Sequence, residues 1–333
     1  MALKIKKYPL LISTIISCVI IIASLFVLGF KGINLGVSLG GGTQIEVSMK
    51  DGILTSTYTD KVSDVLKNYD MSIDTNFVED KYSAGENNAE FNRKNLVIQV
   101  AKSVDDETSS KVKTDIATAL SVSEENVKIG TIKSSVVSKS VLLLAAAFGI
   151  IAICFFVFGF ARYDVFAGIS FVIAFLHNII LYLSLVIVTR IQLTLSALSA
   201  VMFLTLVMTI VLVSIYERFR EVSKEKDSAK LSVSEKMINS EKEIIKPFSI
   251  IAVAILIFAL ALLFMPVSRV MIISINMLIA LVVTLYTSLL IGPSSYVALL
   301  DIREMNRKAV LSRNENVNKV IKKKVQKNKK KNK

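Results

Sequence analysis

MFLTLVMTIVLVSIYERFREV, residues 202–222, decides how this chain is read. Its first half is apolar and uncharged; its second half carries Glu217, Arg218, Arg220 and Glu221. A helix needs about 20 apolar residues to cross a bilayer, and a backbone in lipid must satisfy its own hydrogen bonds, which makes a helix the natural form. The stretch therefore reads as the end of a spanning helix. Tyr216 is expected in the interfacial aromatic belt, with the four charged heads in water and their stems along the interface.

Five further stretches have the same character. With residues 194–216 as the fourth, the candidate spans are 9–30, 141–160, 165–189, 248–266 and 270–290. The chain is 53% hydrophobic with a net charge of +13, which fits a membrane protein and excludes an ordinary soluble globule. The first apolar run is about 20 residues long where a secretory signal has about 7 to 15, so it reads as a retained anchor. The expected fold class is a polytopic α-helical membrane protein of six transmembrane helices with one α+β ferredoxin-like domain between the first two. Cys18 and Cys154 fall within spans and read as small core residues outside any disulfide framework.

Lys and Arg set the orientation. Lys4, Lys6 and Lys7 precede the first span, a basic stretch 217–246 follows the fourth, and residues 301–333 follow the sixth with a dense lysine block. Six spans put all three on one side, the cytoplasmic one, and leave the outer loops only Arg190 and Arg269. The divisions are then 1–31 (cytoplasmic N-terminus and first helix), 32–138 (extracytoplasmic domain), 139–300 (five-helix bundle, with a surface-lying loop 217–246) and 301–333 (basic tail, without structure in isolation). The tail has no aromatic residue for base stacking. Its candidate partners are anionic lipids, which are slightly favoured, and the ribosome.

Between the first two spans, TQIEVSM alternates apolar and polar residues as a strand does. TYTDKVSDVLKNY follows as an amphipathic helix capped by Thr57 or Thr59. MSIDTNFV and NLVIQV are strands around the polar turn SAGENNAEFN. SVDDETSSKVKTDIATAL is a helix starting near Ser103 or Asp105, and NVKIGTI is a last strand. The β-α-β-β-α-β order is the split, ferredoxin-like arrangement. GINLGVSLGGGTQIEV precedes it, with Gly32, Gly36, Gly40, Gly41 and Gly42. A phosphate loop needs a strand before it and a helix after it; here a spanning helix precedes and a strand follows, so the glycines read as a tight turn. The domain has no histidine or cysteine and its carboxylates are scattered. No metal, cofactor or enzymatic activity is expected.

At depth the chain is nearly free of ionisable groups. His177 is the sole histidine; with an ordinary pKa of about 6.5 it is either a proton carrier, the default reading of an intramembrane ionisable residue, or a hydrogen-bonded packing residue. Thr205, Thr209, Ser214, Asn276, Thr284, Thr287 and Ser288 read as interhelical hydrogen-bonding groups. Ala145 with Gly149 and Ser196 with Ala200 are candidate close helix contacts.

Four stretches in order resemble the SecF branch of the SecD/SecF family of bacterial protein-export subunits, within the resistance-nodulation-division superfamily. Gly36, Gly40, Gly41, Gly42, Thr43 and Glu46 match the start of that family's outer domain. Tyr216, Glu217, Arg218, Arg220 and Glu221 match the motif closing its fourth helix. His177 and Asn178 resemble a His-Asp pair, and Tyr286, Thr287 and Ser288 resemble its Tyr-Ser-Ser. The resemblance implies a subunit that assists late translocation or membrane insertion of unfolded polypeptide, together with a SecD-like subunit and the SecYEG translocon. It also implies intramembrane carboxylates. At the matching positions this chain has Asn178, Ile210 and Val211, and only Lys242 and Lys246 stand near the family's fifth-helix arginine. The alternative reading is a small-molecule or lipid transporter of the same superfamily.

Overall fold

The computed structural model describes residues 3–48, 55–73, 75–84, 90–132, 134–265 and 268–331. Helix α1 (Leu3–Lys31) is followed by a one-turn helix α2 (Val37–Gly40). Then come β1 (Gly42–Ser48), α3 (Thr55–Lys67), β2 (Thr75–Ala84), β3 (Glu90–Val100), α4 (Asp106–Leu120) and β4 (Val127–Ile132). The strands form one antiparallel sheet in the order β2-β3-β1-β4. The alternation read from TQIEVSM is real. Ile45 and Val47 join Leu96, Ile98, Val100 and Val127 on the face packed by Val62 and Leu66 of α3 and Val112 and Ile116 of α4. On the opposite face, Gln99 donates to Gln44 and Gln44 to Glu46. α4 starts directly after Asp105, near the expected position. Thr57 and Thr59 are not caps: α3 already begins at Thr55. The apex of the expected polar turn, 85–89, lies outside the described residues.

The remaining helices are α5 (Ser134–Arg162), α6 (Val165–Thr189), α7 (Leu195–Lys224), α8 (Val233–Leu263), α9 (Ser268–Tyr286) and α10 (Gly292–Lys331). A π-helical turn, Thr287–Ile291, joins the last two. Among the described residues, six segments are long and apolar enough to cross a membrane, α9 and α10 together making the sixth. In the bundle α6 packs against α1, α5, α9 and α10, while α7 packs against α8 and α9.

Several helices outrun the membrane-length limits read from hydropathy. α7 continues through its charged motif to Lys224, and α8 begins at Val233, running through Pro247. The surface loop expected over 217–246 is thus mostly two helix ends joined by a short connection. A capping box between Ser232 and Glu235 starts α8; it satisfies two orphan amides and explains why the helix begins so early. The tail expected to be unstructured is helical to Lys331.

Packing corrects three further expectations. Cys18 and Cys154 are exposed on the outer surface of the bundle, not in its core; lipid is as apolar as a core, so a spanning cysteine has no need of burial. Gly149 has open space around it, Ala145 and Ser196 are exposed, and Ala200 is only half-buried. The close helix approach is instead between Gly159 of α5 and Gly168 of α6. A Cβ on Gly159 would stand 2.7 Å from Gly168 Cα, and one on Gly168 2.8 Å from Phe156 O.

Candidate functional site

The first candidate region is the joint between bundle and domain. Asn34 donates to Arg190 O (2.8 Å), Leu193 N to Asn34 O (2.9 Å) and Gly36 N to Leu193 O (2.9 Å). Leu35 and Leu193 thereby pair as a parallel bridge. Arg190, left-handed at φ +58° as the C-cap of α6, sends its guanidinium to Lys31 O (3.2 Å) and to Gly32 O. The cation of the α6–α7 loop thus caps the last turn of α1, where a positive group is favoured. A Cβ on Gly36 would lie 2.8 Å from Thr194 Cγ2, and Thr194 is itself the N-cap of α7.

Beyond α2 the chain needs two glycines. Gly41 has φ +74°, and a Cβ on Gly42 would lie 2.1 Å from Val100 O. Gly40 stands against Leu35, Thr43 donates to Lys102 O (2.8 Å), and Glu46 accepts from Gln44 (3.0 Å). The motif is a tight connection between α1 and the domain's first strand. Neither Asn34 nor Arg190 stands out in the sequence; the signal was only that Arg190 is a lone outer cation.

The second region is a polar seam inside the bundle with α6 as its spine. His177 Nδ1 is 3.1 Å from Thr287 Oγ1 and Nε2 is 2.9 Å from Ser17 Oγ on α1. Its ring stacks on Tyr286 at 5.9 Å, and the Tyr286 hydroxyl is 2.9 Å from Ser17 Oγ. Four of these groups thus meet where the π-turn begins, and π-turns concentrate at functional sites.

Asn178 turns aside and accepts from Thr284 (3.4 Å). Ser288 donates within its own helix to Leu285 O. Nearer the domain, Tyr182 donates to Asn276 (2.6 Å), which donates to Gln192 O (3.1 Å). Thr205, Thr209 and Ser214 donate to carbonyls four residues back and do not bridge helices. Ser13 and Ser17, four residues apart on the first span, were missed by sequence reasoning. That spacing puts both on one helix face and was the available signal.

The described members of the seam include no carboxylate, lysine or arginine. Val211 is buried in the core at 1% exposure and Ile210 lies on the outer face at 55%. Neither position matched to a family carboxylate supplies an ionisable group.

At the other end of the seam, Tyr216 is 1% exposed. Its hydroxyl meets Ser170 (2.8 Å) and Gly292 O (3.1 Å), and its ring packs on Phe171 and Tyr296. This tyrosine does not face lipid or water: α7 presents the position to α6 and α10, and its hydroxyl has protein partners. Glu217 holds Arg162 (2.7 Å) and the Tyr163 hydroxyl (3.2 Å). Burial first, then the Glu217 carboxylate, keep the Tyr163 phenol well above its ordinary pKa. Arg218 bridges to Glu221 (2.9 Å), Glu225 and Glu243. Of the motif's charges, Arg220 and Glu221 are exposed, as expected of all four, whereas Glu217 and Arg218 are half-buried and tie α7 to α5 and α8.

Six spanning helices, one small α+β domain between the first two and a largely uncharged polar seam define a polytopic helical membrane protein. The profile of the family described as "Protein export membrane protein SecD/SecF, C-terminal" matches residues 108–301. That is more than half of the chain, and the chain belongs to this family. Among solved structures it is similar to SecDF in its super-membrane-facing form, with TM-score 0.65 and 14% identity over 91% of this chain and 39% of that one. It is also similar to SecDF from Thermus thermophilus, described as a translocon-associated membrane protein, with TM-score 0.61 and 16% identity over 88% and 38%. At such identities the likeness is one of fold, and this chain spans about two fifths of the length of those chains. No curated protein sequence matches.

Proposed function

We propose that the chain is a SecF-like subunit of the protein-export machinery, working beside a SecD-like chain to assist late translocation or membrane insertion. The observation carrying this is the family match over 108–301, joined to a fold shared across nine tenths of this chain but only two fifths of the SecDF chains. The domain of β1–β4 with α3 and α4 is read as ferredoxin-like and extracytoplasmic, and SecYEG with an unfolded polypeptide is the working environment. The distribution of Lys and Arg supports placing the N-terminal end of α1 and the residues after the last span in the cytoplasm of a bacterial cell. The joint at Gly36–Gly42 and Asn34–Arg190 transmits domain movement to α1, α6 and α7.

The seam supports a packing role for His177, with its ring nitrogens engaged by Ser17 and Thr287. Any proton flow through the assembly is assigned to the SecD-like chain, because this one offers Asn178, Ile210 and Val211 where carboxylates are needed.

The test is purification of the tagged full-length protein from native membranes, with the accompanying chains identified. A SecD-like chain in near-equal amount is expected; its absence, with a small-molecule transport component in its place, overturns the reading. Orientation is tested separately in intact cells. A Ser83→Cys variant should react with an impermeant maleimide and an Asn328→Cys variant should not.

A further inference from the structure

α10 leaves the bundle at Arg303, whose guanidinium stands 4.0 Å from Asp164 of the α5–α6 turn and over the Phe166 ring. From residue 302 to 312 every position is exposed; Glu304, Met305 and Lys308 still border a groove beside Leu231, Ser232 and Val233 at the start of α8, and beyond Lys308 the helix projects clear of the bundle. The backbone stays helical to Lys331, and residues 294–333 contain no glycine or proline. Sharp kinks are almost always made at such residues or at inserted turns.

The segment beyond the bundle therefore continues the direction of a spanning helix, and such helices tilt by only about 20° on average. At about 1.5 Å per residue, Lys319 stands roughly 24 Å past Arg303 and Lys331 roughly 42 Å. The surface potential of a membrane fades within a Debye length of about 8 Å at physiological salt.

The charge at that distance is extreme. Residues 319–333 hold nine lysines and no acidic residue. Topology is set by cations within about 15–20 residues of a span's end, and Arg303, Arg307, Lys308 and Arg313 already fill that zone. The apolar residues among the lysines are Val320, Ile321 and Val325, with none of the Trp, Phe or Leu that anchor an interfacial helix.

We propose that the lysine-rich end of α10 is a docking arm for the phosphate backbone of RNA. Its geometry reverses the sequence preference for lipid. Without aromatic residues to stack bases, it reads charge and spacing only, so binding is independent of base sequence and steeply salt-dependent.

The inference rests on the cytoplasmic placement of the tail. Binding measured in nanodiscs, which are open on both faces, does not depend on orientation, so it and the Asn328 labelling result fail separately. The experiment uses the full-length protein in phosphatidylcholine nanodiscs, with fluorescent transfer RNA and purified ribosomes as probes. It is compared with a variant carrying Lys→Gln at 322, 323, 324, 327, 329 and 330.

For nine single-charge contacts the log–log salt slope is about −6, and the variant should lose about four units of it and at least roughly a hundredfold in affinity at 0.1 M salt. Binding of both probes supports the arm with RNA phosphate as the shared ligand. Binding of ribosomes alone supports it with ribosomal RNA as the source. Three results overturn it: equal binding by parent and variant, loss of RNA binding when the discs contain phosphatidylglycerol, or labelled polyglutamate binding as tightly as RNA.

Discussion

Replacing Gly42 with alanine should unfold the small domain's first strand pairing. The new Cβ would lie 2.1 Å from Val100 O, against an ordinary contact of at least 3.4 Å, so the strands must separate by 3.4 − 2.1, about 1.3 Å. The obstacle is a backbone carbonyl on β3 directly beside the Thr43–Val100 pair, and it cannot rotate away as a side chain does. Overpacking costs about 1–3 kcal/mol where side chains yield, so about 3 kcal/mol is expected here. In a domain of this size each kcal/mol shifts Tm by about 4–8 °C, giving a fall of about 12–24 °C. The reporter is a Val62→Cys substitution, at a site fully buried in the domain core, in full-length protein whose Cys18 and Cys154 are alanine. It is labelled with a water-soluble maleimide during heating. Gly130, with nothing within 4 Å of its would-be Cβ, is the control, and Gly130→Ala should leave the midpoint nearly unchanged. If Gly42→Ala melts with the parent, or Gly130→Ala falls as far, the close-approach argument is wrong.

Tyr216→Phe leaves Gly292 O and Ser170 without their shared hydroxyl and should cost about 1–3 kcal/mol, read as a lower thermal midpoint in detergent; an unchanged midpoint refutes the buried role. Asn34→Ala should speed amide exchange at Gly36 and Leu193 by about 2- to 12-fold, the equivalent of one net hydrogen bond of about 0.5–1.5 kcal/mol, while exchange in β1 stays as in the parent. The Tyr163 phenol has its folded pKa raised above its ordinary 10.0. Its contribution is therefore fully present below pH 10 and is lost as pH rises through the folded value; Tyr163→Phe should remove that alkaline loss and leave the stability profile between pH 6 and 9 flat in this respect. Reconstituted alone, with a pH-sensitive dye inside the vesicles and an imposed gradient, the protein should pass no protons. A flux abolished by His177→Ala would make the imidazole a carrier, and one surviving that change would reveal a water path.

What the sequence conveyed well was periodicity. Six apolar runs became six long helices, and the alternation of Ile45 and Val47 with Gln44 and Glu46 foretold which side of β1 meets α3 and α4. Helix ends were less legible because apolar length marks the lipid boundary, whereas a helix ends where its hydrogen bonds are capped. α7 runs past Tyr216 because nothing in YERFREVSK breaks a helix, and α8 starts early because Ser232 and Glu235 cap it. The partners of spanning polar residues were least legible. A threonine in a helix bonds its own carbonyl four residues back or a neighbouring helix according to its rotation about the helix axis. Thr205 and Thr287 look alike in sequence and differ in that respect. Tyr216 shows the same limit, since a tyrosine beside charges reads as interfacial until α6 and α10 are seen to enclose it.

The π-turn at Thr287–Ile291 carries a genealogical consequence. Such a turn holds one residue more than the α-helix it interrupts, while the flanking turns keep their faces. Tyr286 stays against His177 on one side, and Gly292, whose would-be Cβ lies 2.4 Å from Leu212, stays against α7 on the other. Loss of one residue within 287–291 would restore a plain α-helix without turning the lower half. The same loss in the middle of α9 would rotate the helix beyond it by about 100° and carry Gly292 off its seat. Single-residue length differences among descendants of this gene are therefore expected to collect in this one turn.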